Sequence, residues 1–505
     1  MRKFINNVIQ NEDPTRLLFL GYLLYVFLGW ILLNIPFVHN YRINTLDNLF
    51  TSTSAISTTG LTTISVIDQY NFWGQTIVLI LIQIGGLGYM TFGSFIILSR
   101  KKTINPYRKN ILKTSFTLPL DFSIKKFIKS IVIYTLSIEF IGAVLLFFVF
   151  KDDYRVNPYW SAIFHSISSF CTAGFSLYND SFINYADNLN LNLIISSLSL
   201  LGAIGYIVMV DVWLLIKGEK EHITFTSKVI LRITFWLLVI GSVFFYFNEY
   251  NSNEPIQFRH ILQSFFQTMT ALSTVGFNTV AISQIKAASL FLISILMIIG
   301  ASPSGTGGGI KSTTLSCLLG TLQSLLTRKK EYIDLESYKI PPASGFPAPG
   351  SHPKKKIILS LFQKKKEQTI GYNTRGNVID TPENSVNIRS TLGNLIKIKY
   401  LGRVIPYERI ILAFANFSFY FIILFSGFYL LLITETFPFN KLFFEAASAL
   451  GTVGLSTGIT SSLSPFGKLI IIVLMFIGRI GPITFGMALF YHHGKERDQV
   501  ADIVV

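Results

Sequence analysis

Four short stretches of this chain concentrate small oxygen-bearing residues next to glycine: Ser57-Thr58-Thr59-Gly60-Leu61, Cys171-Thr172-Ala173-Gly174-Phe175, Ser273-Thr274-Val275-Gly276-Phe277 and Gly451-Thr452-Val453-Gly454-Leu455. Each contains Thr-x-Gly. Threonine offers a hydroxyl and a carbonyl oxygen, and x and Gly add two more carbonyls. Glycine takes the positive φ that lets successive carbonyls face one way. Rings of such carbonyls replace the hydration shell of a potassium ion, and TVGYG is a sequence that does this in channels. Thr274-Val275-Gly276 and Thr452-Val453-Gly454 carry Thr-Val-Gly outright.

Aligned on the glycine, the four stretches share more than three residues. Ten positions earlier stand Phe50, Phe164, Phe266 and Phe444; six earlier stand Ser54, Ser168, Thr270 and Ser448. Two after stand Thr62, Ser176, Asn278 and Ser456. A register shared by four segments is an internal repeat. The phenylalanines read as packing of a helix on its neighbours. The alternative for the stretches themselves is that small residues merely let helices approach closely.

The elements that position these stretches are apolar runs on either side of each. Of 505 residues, 50% are hydrophobic and 14% charged, with a mean hydropathy of +0.50. Soluble domains carry about 25% charge, so the chain reads as an all-α polytopic membrane protein. Its net charge of +16 does not point to nucleic acid, because Lys and Arg cluster between apolar runs, as in Arg100-Lys101-Lys102 and Lys354-Lys355-Lys356. The two cysteines, Cys171 and Cys317, fall at membrane depth and suggest neither a disulfide framework nor a metal site. The seven histidines show no ligand spacing, and His492-His493 reads as a surface pair. The run 17–38 is long enough to be a retained span rather than a signal peptide.

Taken in order, a polar segment 1–16 leads into repeat 1 (17–129), repeat 2 (130–229), repeat 3 (230–327), a basic, Pro-rich insertion (328–406) and repeat 4 with the C-terminal tail (407–505). Expected spans are 17–38, 73–99, 130–150, 189–216, 230–247, 287–327, 408–433 and 467–491. Short helices too short to cross precede each Thr-x-Gly, one over 45–57, one capped by Asn157-Pro158, one opened by Glu254-Pro255 and one over 439–451. Asp13-Pro14 reads as a cap and first turn. Of the spans that follow the stretches, only that of repeat 3 is expected to break. Eight crossings put both termini and the basic segments on one side, the cytoplasm by the positive-inside rule, with the four stretches opposite. Non-helical backbone at membrane depth must be buried or line a water-filled path. Four such loops can surround one axis, with short helices aiming their partly negative C-terminal ends at a cation.

Two further features lie on the expected path. Repeat 3's span is interrupted by Gly300-Ala301-Ser302-Pro303-Ser304-Gly305-Thr306-Gly307-Gly308-Gly309-Ile310-Lys311. A phosphate loop needs Lys directly after its second Gly, whereas Ile310 intervenes here. The stretch reads as a helix break able to obstruct the path and move, or as a packing kink. Arg479, within Gly478-Arg479-Ile480-Gly481-Pro482, lies mid-span, where an arginine costs at least about 2.5 kcal/mol unless it faces water or protein. Either it faces the path as a barrier to cations, or it pairs with a buried acid such as Glu139, Asp211 or Glu445.

These residues, with Gly85-Gly86-Leu87-Gly88-Tyr89-Met90-Thr91 and Ser304–Lys311, resemble the Trk/Ktr/HKT superfamily of potassium transporters over all but about 341–400. The resemblance implies a single-chain pseudo-tetrameric pore, one per subunit of a homodimer, in the cell membrane. It implies a filter for K+, the transported ion, formed by Thr58, Thr59, Gly60, Thr172, Ala173, Gly174, Thr274, Val275, Gly276, Thr452, Val453 and Gly454. A serine at the Gly60 position accompanies sodium conduction in that family. The gate would be Gly300, Ser302, Ser304, Gly305, Thr306, Gly307, Gly308, Gly309 and Lys311, with Arg479 as the pore arginine. No organic cofactor is implied in this chain, and no enzymatic activity. A cytosolic nucleotide-binding RCK ring is the implied partner. Departures are the short N-terminal segment, which is Ktr-like, and the insertion bracketed by Ile340-Pro341 and Ile405-Pro406. The rival readings are an autonomous cation channel without a regulatory ring, an ATP-driven pump using 300–311, and a membrane scaffold.

Overall fold

Asparagine and proline set the helix starts. Asn44 accepts from Leu46 N, Asn157 from Tyr159 N and Trp160 N with Pro158 at the first turn, and Asn71 from Trp73 N and Gly74 N. Ser464 does the same for Gly467 N ahead of Pro465. Each satisfies donors that a helix N-terminus otherwise leaves orphaned. The protein is described by a computed structural model over residues 14–88, 124–250, 257–326, 399–400 and 403–490. Tyr89–Thr91, the basic residues 100–123, Glu254-Pro255 and most of the insertion lie outside the described residues.

Each repeat has an outer helix, a short helix and an inner helix. The outer helices are Pro14–Leu33, Ile124–Phe150, Phe225–Glu249 and Tyr407–Thr434. The short helices are Thr45–Ile56, Pro158–Phe170, Phe258–Ser273 and Phe439–Gly451. They have 12, 13, 16 and 13 residues, about 18–24 Å at 1.5 Å per residue, which falls short of a ~30 Å hydrocarbon core. The inner helices are Phe72–Leu87, Leu189–Ile204, Ala287–Ile299 and Pro465–Ile480.

The packing is cyclic. The inner helix of repeat 1 packs on the short helix of repeat 2, that of repeat 2 on short helix 3, that of repeat 3 on short helix 4, and that of repeat 4 on short helix 1. Small residues make the approaches. Ser52 Oγ donates to Val26 O at 2.8 Å and Ser166 Oγ to Glu139 O at 2.6 Å. Gly29 and Gly142, one turn along the same outer helices, leave room for those hydroxyls. Phe50, Phe164, Phe266 and Phe444 are all fully buried, as their shared register suggests for a packing residue.

The inner helices differ from the expectation in one respect. Leu189–Ile204 and Tyr206–Ile216 are bent by 99° at Gly205, and Pro465–Ile480 and Pro482–Leu489 by 99° at Gly481. The spans 189–216 and 467–491 are therefore not continuous, and the break is not confined to repeat 3. Gly88, Gly205, Gly300 and Gly481 end the four inner helices with φ of 77°, 95°, 65° and 92°, values a helix cannot continue through. Hydropathy runs on across Gly205, which hid the break. Among the described residues, three helices are individually long and apolar enough to cross a membrane, Ile128–Phe150, Phe225–Glu249 and Glu408–Thr434. The two bent pairs and the shorter apolar helices Leu18–Leu33, Phe72–Leu87 and Ala287–Ile299 replace the remaining uniform crossings.

On the loop between outer and short helix 2, Arg155 forms hydrogen bonds that hold the Asp153 carboxyl well below the usual carboxylate range. The chain divides into two units, Met1–Leu319 with Glu408–Val505, and Gly320–Tyr407. Within the second, Lys399–Tyr400 and Arg403–Val404 form a two-residue antiparallel ladder.

Candidate functional site

The short helices end at the Thr-x-Gly stretches. Thr58, Thr172, Thr274 and Thr452 have φ of 53°, 51°, 62° and 50°. A β-branched residue there is strained by on the order of 1–3 kcal/mol, and four equivalent residues share the strain. The glycines also have positive φ: Gly60 90°, Gly174 67°, Gly276 86° and Gly454 94°. The residue between has negative φ in every repeat, so the sign alternates along each stretch.

The amide hydrogens of these stretches point back into the short helices. Thr59 N donates to Ser54 O at 2.9 Å, Ala173 N to Ser168 O at 2.8 Å, Val275 N to Thr270 O at 3.1 Å and Val453 N to Ser448 O at 2.9 Å. The hydroxyl-bearing residue six before each glycine is thus the shared acceptor. Ser54 Oγ and Ser448 Oγ also accept from Gly60 N and Gly454 N at 3.1 Å. Among the described residues, the Thr, x and Gly carbonyls of the four stretches accept no hydrogen bond.

The stretches close into a ring. A Cβ added to Gly60 would overlap Ala173 O; one on Gly174, Val275 O; one on Gly276, Val453 O; and one on Gly454, Thr59 O. Each glycine therefore lies against the x carbonyl of the next repeat, and the fourth returns to the first. Here glycine is required twice, for its φ and for the close approach.

The loop 300–311 lies against all four threonines. Thr58 Oγ1 donates to Thr306 O at 3.3 Å and Thr172 Oγ1 to Thr306 Oγ1 at 3.0 Å. Gly308 N donates to Thr274 Oγ1 at 3.2 Å. A Cβ on Gly307 would overlap Thr274 Oγ1, and one on Gly308 would overlap Thr452 Oγ1. Thr452 is buried, and its hydroxyl has no partner among the described residues. The loop is tied to repeat 2 by Thr306 N to Gly202 O at 3.1 Å and Ser302 N to Ala203 O at 3.1 Å. Lys311, itself at φ 87°, donates from Nζ to Gly307 O at 2.6 Å and to Gly308 O at 3.4 Å. Its ammonium is committed to its own loop, and a helix rather than a strand precedes the loop; both features are unlike a phosphate loop.

Arg479 joins three parts of this region. Nη1 donates to Thr58 Oγ1 at 3.0 Å and to Thr306 O, and Nη2 donates to Gly85 O. None of the three carboxylates weighed as its partner hydrogen-bonds to it. Glu139 accepts from Gln83 Nε2 at 3.0 Å, Asp211 from Lys220 Nζ at 2.7 Å, and Glu445 from Ser456 Oγ at 2.6 Å. The guanidinium thus ties the Thr-x-Gly stretch of repeat 1 to the interrupted span of repeat 3.

Sequence reading missed Gly202 and Gly205. Gly85, Gly202 and Gly478 stand three residues before the helix-ending glycine in repeats 1, 2 and 4. A Cβ at each would overlap the carbonyl of Ile56, Phe170 or Leu450 at the end of the short helix. The pair Gly-x-x-Gly was the available signal. Among the described residues, no group of three or more His, Cys, Asp or Glu is placed to hold a metal.

The family model described as "TrkH: Cation transport protein" matches residues 31–494. Ktr system potassium uptake protein B of Bacillus subtilis is 30% identical over 479 residues, covering 94% of this chain and 92% of that protein. Potassium/sodium uptake protein NtpJ of Enterococcus hirae is 30% identical over 487 residues, with 94% and 93% covered. The crystal structure of the potassium transporter TrkH from Vibrio parahaemolyticus matches with a TM-score of 0.62 at 20% identity, covering 93% of this chain and 84% of that one.

Proposed function

We propose that this chain, which belongs to the TrkH family of cation transport proteins, is a potassium uptake protein that passes dehydrated potassium through the ring of Thr-x-Gly carbonyls. The observation that carries this reading is the closed ring of Gly60, Gly174, Gly276 and Gly454, each against the neighbouring x carbonyl. Buried carbonyls that accept nothing are costly in a membrane protein. A dehydrated cation on the axis supplies what they lack. The short-helix C-termini converge on the same ring and add negative potential. The names of the relatives, Ktr system potassium uptake proteins B and D, support potassium as the substrate.

The loop 300–311 acts as a gate below the ring. Its contacts with Thr58, Thr172, Thr274 and Thr452 support an obstruction across the path, and Arg479 holds it closed through Thr306 O. The protein sits in the cell membrane with both termini cytoplasmic. It works as a homodimer with one pore per subunit, under control of a cytosolic RCK ring. Co-purification with RCK subunits separates this from an autonomous channel.

Expression in cells lacking their own potassium uptake systems restores growth at low potassium. Absence of growth with membrane insertion verified contradicts the reading. ATP hydrolysis by the purified chain alone favours a pump instead.

A further inference from the structure

The residue nine before each ring glycine is polar in every repeat, but its chemistry changes: Thr51, His165, Gln267 and Glu445. All four are fully buried. In three repeats this side chain reaches across to the backbone amide three residues after the glycine. His165 Nε2 accepts from Leu177 N at 3.2 Å and meets Ser176 Oγ at 3.0 Å, while Nδ1 meets Ser161 O at 2.8 Å. The Leu177 amide needs a lone pair on Nε2, so the imidazole is neutral with its proton on Nδ1. Gln267, in the amide orientation that satisfies its neighbours, accepts from Thr279 N at 2.9 Å and Val280 N at 3.2 Å. Glu445 accepts from Thr457 N at 3.0 Å, Ser456 Oγ at 2.6 Å and Thr460 Oγ1 at 2.8 Å.

Repeat 1 lacks this tie. Thr51 is too short, and its hydroxyl donates to Asp47 O at 2.9 Å within its own helix. Thr63, three after Gly60, is buried with a hydroxyl that has no partner among the described residues.

An imidazole, an amide and a carboxylate doing one job share no charge. They share an acceptor lone pair aimed at one amide. We propose that His165, Gln267 and Glu445 are positioning residues that clamp the outer rim of the ring, and that Glu445, with a carboxylate accepting from three residues, sets how strictly the ring discriminates between cations. Charge-assisted bonds of this kind are about twice as strong as neutral ones, so repeat 4 is held hardest and repeat 1 is the loose quadrant. The inference rests on the reading of the ring as the cation filter.

The test measures rubidium uptake by proteoliposomes containing the full chain, with sodium as competitor, for the wild type, Glu445→Leu, Glu445→Gln and Gly454→Ser. Glu445→Leu lowers the sodium concentration that halves uptake by about tenfold, for loss of the charge-assisted bonds. Glu445→Gln recovers most of that discrimination, because it keeps an acceptor oxygen as Gln267 does. Should Glu445→Leu not insert, the pair Ser456→Ala and Thr460→Val removes two donors and carries the same expectation. Altered sodium sensitivity in Gly454→Ser with none in Glu445→Leu, or in the pair, overturns the clamp and leaves the ring reading intact. No change in any variant overturns both. Equal loss of uptake in the Leu and Gln variants at unchanged sodium sensitivity marks a purely structural residue and also overturns the clamp.

Discussion

At the scale of single residues, the ring depends on one missing atom in each repeat. Gly60 has φ 90°, and a Cβ there would overlap Ala173 O. Gly60→Ser therefore displaces a carbonyl that would face the ion and relaxes discrimination against sodium. The check is competition by sodium in rubidium uptake, and unchanged competition speaks against Gly60 as a ligand-bearing position. The ring residues were legible because the same residue types recur in the same register: Phe, Ser or Thr, Thr, Gly. The positions nine before the glycines were not, since Thr51, His165, Gln267 and Glu445 share geometry rather than chemistry. Arg479 was legible as an anomaly in an apolar run. Its partners were not, because two of them are the backbone carbonyls of Gly85 and Thr306, which carry no side-chain signature.

At the scale of elements, four short helices and four glycine-ended inner helices make one device. The loop 300–311 was visible in sequence because five of its twelve residues are glycine. The break at Gly205 was not visible, because Tyr206–Ile216 continues the apolar run. Gly205 has φ 95° and ψ 152°, a region essentially restricted to glycine. Gly205→Ala consequently costs about 1–3 kcal/mol and lowers the melting temperature of the solubilised protein; an unchanged melting temperature contradicts the strain argument. Deleting several residues within 302–309 removes the contacts below the four threonines. Uptake per molecule then rises, as measured in proteoliposomes with matched protein content. A correctly inserted deletion with lower uptake argues for a packing role over a gate.

At the scale of the whole molecule, the cyclic order of inner helix on next short helix turns one chain into a four-sided enclosure. Composition and repeats made the all-α polytopic class and the four-part division of the ring legible. They did not reveal that inner helices bend by 99°, because hydropathy reports length and not direction. The closure of repeat 4 onto repeat 1, through Gly454 against Thr59 O, lies across nearly 400 residues of sequence and has no local signal. The claim that this enclosure conducts potassium is tested most directly by rubidium uptake into proteoliposomes of the purified chain, with and without sodium and an RCK partner. The expected result is saturable uptake that unlabelled potassium suppresses at lower concentration than sodium does. No uptake under any of these conditions by correctly folded protein, or suppression by sodium equal to that by potassium, would contradict it.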